Sequence, residues 1–426
     1  MIDAHAAQDA REQPMTEQKL TVLPTDNKEQ AAFSHQEVQN VPFLDIKRDN
    51  SPLLEEIQQA VTDVCASGIY VLGPECQKLE KTFKEICHVD HAIACSSGSD
   101  ALLLALMAIE IGPGDEVILP SFTFFATASA VWRLGATPVF ADIDPVSYNI
   151  DPAAVERAIT PKTKAIIPVH LFGQCADMDP LNQLAHEHKL YIIEDAAQAV
   201  GAKYKNRPAG SMGHMSAFSF YPTKNLGGFG DGGLLTSTDS QLADRLALLR
   251  VHGMRPRYYH KVVGINSRLD AMQAAVLNVK ARYLDQWTAA RQKHASRYHE
   301  LLSMTALSQI ISLPETTDGC KHVWNQFTLR IPNGKRNALR EFLSNQNVGT
   351  EIYYPVPLHQ QECFASLGWE HGSLPETEKA VEEVLHLPIF PGITEQEQIY
   401  VVKNIMNFYR QEGLLDTTYA NDRKVA

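Results

Sequence analysis

Ser216-Ala217-Phe218-Ser219-Phe220-Tyr221-Pro222-Thr223-Lys224-Asn225-Leu226-Gly227-Gly228-Phe229-Gly230-Asp231-Gly232-Gly233 sets a single lysine between an aromatic, strand-like run and a turn dense in glycine. Flanked by Phe218, Phe220, Tyr221 and Pro222, the Lys224 amine is expected to be partly desolvated, which favours its neutral form. A neutral amine is a nucleophile, and its characteristic chemistry is a Schiff base with a carbonyl. A lysine beside a glycine turn can equally serve only to solubilise the loop. The same residues hold Gly228-Phe229-Gly230-Asp231-Gly232-Gly233, a match to G-x-G-x-x-G. The dinucleotide fingerprint, however, needs a strand before it and a helix after it. Here Leu234-Leu235-Thr236-Ser237-Thr238 follows and reads as a strand, so the match is read as accidental.

Outward from this stretch, the chain has 426 residues, more than one core usually supports, so two domains are expected. Hydrophobic residues at 44% and charged at 21% are those of an ordinary globular protein. A net charge of -12 argues against a nucleic-acid partner, which needs a basic excess. Seven scattered cysteines with no C-x-x-C pair suit a reducing cytosol. The longest clean apolar run, Ala101 to Ile109, is too short to span a bilayer, and a cytoplasmic location is expected. Residues 1–40 are rich in Gln, Glu and Asp and are expected to be a flexible tail, with the globular part starting at Val41-Pro42-Phe43-Leu44.

Cys95-Ser96-Ser97-Gly98-Ser99-Asp100 precedes a helix expected over 101–110. Backbone N–H groups of Gly98, Ser99 and Asp100 would then face out of a helix N-terminus, an anion site; alternatively Ser99 or Asp100 only caps the helix. Apolar runs at 116–119, 137–141, 165–169 and 190–193 alternate with helical stretches at 126–134, 153–159 and 179–188. This is an α/β pattern, a mostly parallel sheet covered on both faces, with ligands beyond the carboxyl ends of the strands. Three strand ends carry reactive types: Pro120-Ser-Phe-Thr-Phe-Phe125, His170-Leu-Phe-Gly173 and Glu194-Asp195-Ala-Ala-Gln198. Asp195, ending a buried strand, needs a cationic partner or a strong donor. A protonated pyridine nitrogen would serve, as would a structural ion pair or a helix N-terminus. Taken together, a phosphate site, an aromatic loop, an acid for a ring nitrogen and a lysine for an aldehyde describe what pyridoxal 5'-phosphate needs.

Ser-Gly-Ser-Asp-Ala-Leu, Pro-Ser-Phe-Thr-Phe, Glu-Asp-Ala-Ala-Gln, Ser-Phe-Tyr-Pro-Thr-Lys-Asn-Leu-Gly and Gly-Asp-Gly-Gly, in that order, resemble the DegT/DnrJ/EryC1/StrS family of sugar aminotransferases. The likeness continues through Gly264 to Gln273 and covers residues 42 to about 408. It implies a fold type I transferase with a smaller α+β C-terminal domain: 41–285 binding the cofactor, 286–412 the smaller domain, 413–426 a tail. It also implies that Lys224 holds the cofactor as a Schiff base and afterwards shuttles a proton, and that Asp195 holds the pyridinium proton. Phe124 would stack on the ring, Gln198 would lie near its hydroxyl, and Gly98, Ser99, Asp100 and Ser219 would hold the phosphate. Asn266 and Arg268 would reach the neighbouring subunit's site, making a homodimer the functional unit.

Some relatives replace the lysine with histidine and dehydrate; retention of Lys224 favours transamination. The donor implied is L-glutamate and the acceptor a nucleotide-diphosphate keto sugar, for a surface glycan such as lipopolysaccharide or for a glycosylated metabolite. Arg255 and Arg257, in the most basic stretch of the chain, are expected to meet the diphosphate unless they lie on a solvated loop. Tyr353-Tyr-Pro-Val-Pro-Leu-His359-Gln-Gln resembles relatives that aminate carbon 3 of the sugar, so Tyr353, Tyr354 and His359 are substrate candidates; carbon 4 is the alternative, and Tyr and His between prolines can merely pack a turn. One subgroup acting on 3-oxo uronic acids often has His where Tyr353 stands, which leaves recognition of a sugar carboxylate open. No metal-ligand spacing is present. A hydride-transferring oxidoreductase would rest on the glycine match alone, and a PLP-fold regulatory protein without catalysis is argued against by Lys224, Asp195, Gln198 and Ser219 together.

Overall fold

Seven short strands build the central sheet of the computed structural model, which describes residue 38 and residues 40–415. They are β1 (His91–Cys95), β2 (Glu116–Pro120), β3 (Thr137–Ala141), β4 (Thr163–Ile166), β5 (Tyr191–Asp195), β6 (Met215–Ser219) and β7 (Gly233–Ser237), in the spatial order β1-β7-β6-β5-β4-β2-β3. From β6 to β3 every pairing is parallel, while β7 runs antiparallel to both β6 and β1. The sheet is thus mostly parallel, as expected, with one reversed strand.

Successive residues of a strand face opposite ways. Ile118, Ile166, Ile192 and Phe218 enter one apolar cluster, and their neighbours Leu119, Ala165, Ile193 and Ala217 enter another. Both faces are therefore dry, which is why these strands read as continuous apolar runs. The segment 165–169 is regular strand only to Ile166; Pro168 has no N–H to donate, and beyond it pairing resumes only as the Val169–Asp195 bridge. The strand His91–Cys95 carries a weak signal because two of its five residues are alanine.

Helix α1 (Gly98–Ala108) starts three residues before its expected position, because Ser97 is the N-cap and its hydroxyl accepts from Asp100 N at 3.1 Å. A second sheet pairs Phe327–Arg330 antiparallel with Val384–Leu387. The long helix α2 (Leu284–Ser303) and helix α3 (Glu395–Gln411) lie together beside it: Tyr298 in α2 tilts its ring on Phe327 at 5.0 Å. Val41 is fully buried and bridges Val348. The tail expected at 1–40 falls outside the described residues except for 38 and 40, as do residues 416–426. Of the segment 413–426, Leu415 is buried and its N–H donates to Tyr409 O at 3.2 Å, so 413–415 pack back on α3. Among the described residues no helix is long and apolar enough to cross a membrane.

Candidate active site

The lysine stretch folds as alternation demands. Phe218 and Phe220 turn into the core, each edge-on to Phe83 at 5.4 and 5.2 Å, so that Ser219 between them faces the other way. Beyond Pro222 the chain turns sharply: Lys224 N donates to Tyr221 O at 2.9 Å, and a Cβ on Gly227 would come within 2.3 Å of Pro222 O. Gly98 and Gly233 serve a close approach. A Cβ on Gly98 would sit 2.7 Å from Ser219 Cβ, and one on Gly233 would sit 2.3 Å from Ser97 O. Their lack of side chains lets the first turn of α1 lie against the ends of β6 and β7.

These ends border a cavity of about 530 Å³ lined by Gly98, Ser99, Phe124, Asp195, Gln198, Ser219, Lys224, Gln326, Tyr353 and Tyr354, among others. Burial pulls the Lys224 amine down to about 8, with the charge of Asp195 opposing the shift. Burial likewise pushes the Asp195 carboxyl up, against the hydrogen bonds from Thr127 and Ala197 and the charge of Lys224. Thr127 Oγ1 donates to Asp195 Oδ2 at 2.9 Å and Ala197 N to Oδ1 at 3.2 Å. Gln198 is oriented by Phe172 N, which donates to its Oε1 at 2.6 Å, and its Nε2 lies 3.4 Å from Tyr354 Oη. Phe124 is largely exposed within the cavity and lies 6.2 Å from the Tyr354 ring.

Glu194, one residue back, faces the opposite side of β5. Its carboxylate accepts from His170 Nε2, Gly210 N, Met212 N, Gly213 N and Ser216 Oγ, all at 2.7 to 2.9 Å. Burial alone would raise its pKa, but the hydrogen bond from His170 and the backbone donors outweigh it and hold the acid below its ordinary value. Because Ala176 N donates to His170 Nδ1 at 3.2 Å, the proton of His170 belongs on Nε2, toward Glu194. The loaded strand end thus divides: Asp195 faces the cavity and Glu194 locks the sheet.

Several expected residues lie elsewhere. Asp100 does not line the cavity; its carboxylate accepts from Ser96 Oγ at 2.6 Å and its N–H is taken by the Ser97 cap. His359 is buried between Ser121 Oγ, 2.7 Å from Nδ1, and Glu378 Oε1, 3.1 Å from Nε2, and does not line the cavity. Arg255 pairs with Asp244 at 2.6 Å and Arg257 covers the Tyr258 ring at 4.9 Å. Neither these two nor Asn266 and Arg268 line the cavity of their own chain. Tyr353 and Tyr354 do line it. Gln326 and Thr127 were not legible as site residues. The Gln326 carbonyl Oε1 is buried without a hydrogen-bond partner among the described residues, and Gln326 comes from a strand entry more than 100 positions after Lys224.

The residues fit pyridoxal phosphate: a buried carboxylate with two neutral donors and no ion pair, a desolvated lysine, and a glycine-cleared helix N-terminus converge on one cavity. The model of the DegT/DnrJ/EryC1/StrS aminotransferase family matches residues 52–406. A pleiotropic regulatory protein of Geobacillus stearothermophilus is 51% identical over 371 residues, 87% of this chain and 99% of its own length. The dTDP-3-amino-3,4,6-trideoxy-alpha-D-glucose transaminase of Streptomyces venezuelae is 45% identical over 369 residues, 87% of this chain and 96% of its own. Among solved structures, S. venezuelae DesV superposes with a TM-score of 0.84 at 44% identity, covering 87% of this chain and 99% of that one. Sequence, fold and cavity agree: the chain belongs to the DegT/DnrJ/EryC1/StrS aminotransferase family and is a fold type I transaminase whose cofactor is pyridoxal 5'-phosphate.

Proposed function

We propose that this enzyme moves an amino group from L-glutamate to the 3-oxo group of a nucleotide-diphosphate sugar, in a homodimer whose subunits share each active site. The observation that carries the reading is the cavity itself, where Lys224, Asp195 and Gln198 converge beneath Tyr353, Tyr354 and Gln326. The Streptomyces venezuelae relative is named for a 3-amino sugar nucleotide, which supports carbon 3. Among the described lining residues Lys224 is the sole cation, beside two carboxylates, Asp195 and Asp231. A phosphate and a diphosphate need more positive charge than that. Asn266, Arg268, Arg255 and Arg257, outside their own cavity, are the groups a second subunit would bring. The exposed apolar run Ile69-Tyr70-Val71 offers a surface for it.

When bound, the cofactor supplies an electron sink for the pair released as a C–H bond at the amino carbon breaks. Asp195 would hold a proton on the ring nitrogen and so keep that sink strong. The N–H groups of Gly98 and Ser99, with Ser219, would hold the phosphate at the N-terminus of α1. Phe124 would shield the ring from water. Lys224 Nζ takes the proton from the donor carbon and returns it on the other side of the exchange, work suited to an amine whose pKa lies near 8. We place the division between the cofactor domain and the smaller domain at 285/286, after the second residue of α2.

The regulatory name of the Geobacillus stearothermophilus relative keeps a second reading open, a protein of this fold that senses rather than converts. Retention of Lys224, Asp195, Gln198 and Ser219 around one cavity favours conversion. Absorption spectra of the purified protein with pyridoxal phosphate, before and after L-glutamate, test this. Wild type is expected to show a lysine-bound band that glutamate converts to the pyridoxamine form, and Lys224→Ala to show neither. Wild type that takes up no cofactor would overturn the enzymatic reading.

A further inference from the structure

Thr223 and Lys224 also line a second, smaller cavity of about 30 Å³, walled by Asp49, Lys280, Trp287 and Arg291. Its charges do not balance. Lys280 is 4% exposed and makes no hydrogen bond or ion pair with any described residue; its ammonium lies 5.7 Å from the Phe229 ring and 5.6 Å from the Trp287 ring. Arg291 is equally buried, donates Nη1 to Trp324 O and Ile389 O, and leaves Nε without an acceptor among the described residues. Asp49 is the one carboxylate in the wall. It is occupied by Gly392 N at 2.9 Å and forms no ion pair with either cation. Besides Lys224, two cations face one acid, and an unpaired buried charge is costly. The aromatic faces lessen that cost for Lys280 without cancelling it.

We infer that this cavity binds a monatomic anion, chloride in ordinary solution, against Lys280 Nζ, with the Arg291 guanidinium adding the second positive charge. Size selects the class. A cavity needs roughly 10 to 15 Å³ of such volume to hold one water-sized particle, so the space suits a halide and excludes sulfate or phosphate. A water molecule would fit but would not neutralise the excess cation. Because the wall includes Thr223 and Lys224, a bound halide stiffens the turn that presents the Schiff-base lysine to the larger cavity.

The test uses the full-length holoenzyme at constant ionic strength, with sodium chloride replaced stepwise by sodium gluconate. Thermal unfolding is expected to shift upward with halide by several degrees and to saturate, as binding to the folded state requires. Lys280→Met, close in size and uncharged, is expected to abolish the shift. Crystals of wild type soaked in bromide are expected to show an anomalous peak in this cavity. An equal halide response in Lys280→Met, no difference between chloride and gluconate, or no bromide peak would each overturn the inference and leave a water as the occupant. If Lys280→Met fails to fold, the bromide map of wild type decides alone.

Discussion

The hydroxyl of Thr127 donates to Asp195 Oδ2 at 2.9 Å, and this neutral bond, with Ala197 N, opposes the upward push that burial gives the Asp195 carboxyl. Thr127→Val removes the donor and keeps the shape. Such a bond is worth roughly 0.5 to 1.5 kcal/mol, more when the acceptor is charged. Cofactor affinity and kcat are expected to fall about three- to tenfold with an unchanged melting temperature. Equal affinity and kcat in the variant would show that Asp195 needs no such support.

Lys224 supplies a pH signature. Its amine is pulled down to about 8 by burial, so its neutral fraction grows as pH rises and is nearly complete one unit above that value. Capture of pyridoxal phosphate by the apoenzyme should therefore accelerate through about pH 8 and level off near pH 9, one unit above that value. A rate still climbing steeply at pH 9.5 would put the amine at its solvent value and deny its desolvation.

Gln326 faces the cavity with an unmet carbonyl, which suits a substrate hydroxyl or amide. For Gln326→Leu we expect the KM for the sugar nucleotide to rise about three- to tenfold, the range of one hydrogen bond. The half-reaction with glutamate should be unchanged. A slowed glutamate half-reaction with normal sugar KM would reassign the residue to the donor.

Glu194 accepts from three backbone N–H groups, one hydroxyl and His170, so Glu194→Gln would aim an NH₂ group at donors. A loss of about 3 kcal/mol is expected in chemical denaturation, the usual cost of breaking a buried charged network. Wild-type stability in this variant would mean that the loop 210–213 re-forms its bonds elsewhere.

His359 joins Ser121 to Glu378 away from the cavity. In His359→Ala the two partners lose their bonds, at about 1 to 3 kcal/mol of stability. The KM for the sugar nucleotide should stay within twofold. A raised KM at full stability would return His359 to the substrate.

Local pattern was enough to locate the lysine turn, the order of strands and helices, and the acid at the end of β5, because each is written in residues that are near neighbours in the chain. A desolvated Lys224 between Phe220 and Gly227, and Asp195 closing an apolar run, follow from adjacency and alternation. What alternation could not say was which of two adjacent carboxylates faces the ligand. That depends on which side of the sheet holds Thr127 and which holds His170 and the 210–213 loop, and these meet β5 from 68, 24 and 16 to 19 residues away. Thr127, Gln326 and His359 were likewise settled by long-range packing, whereas Asp100 was settled by partners three and four residues before it. A helix cap claimed Asp100 and the Ser121–Glu378 pair claimed His359, while the entry to the second sheet delivered Gln326 to the cavity. By itself the sequence determined the chemistry of the site, since a Schiff-base lysine and its acid are set by residue type and local burial. Only the tertiary structure decided which polar side chains reach the ligand, because a hydrogen bond needs its partners within about 3 Å, and the elements carrying them are brought to that distance by packing alone.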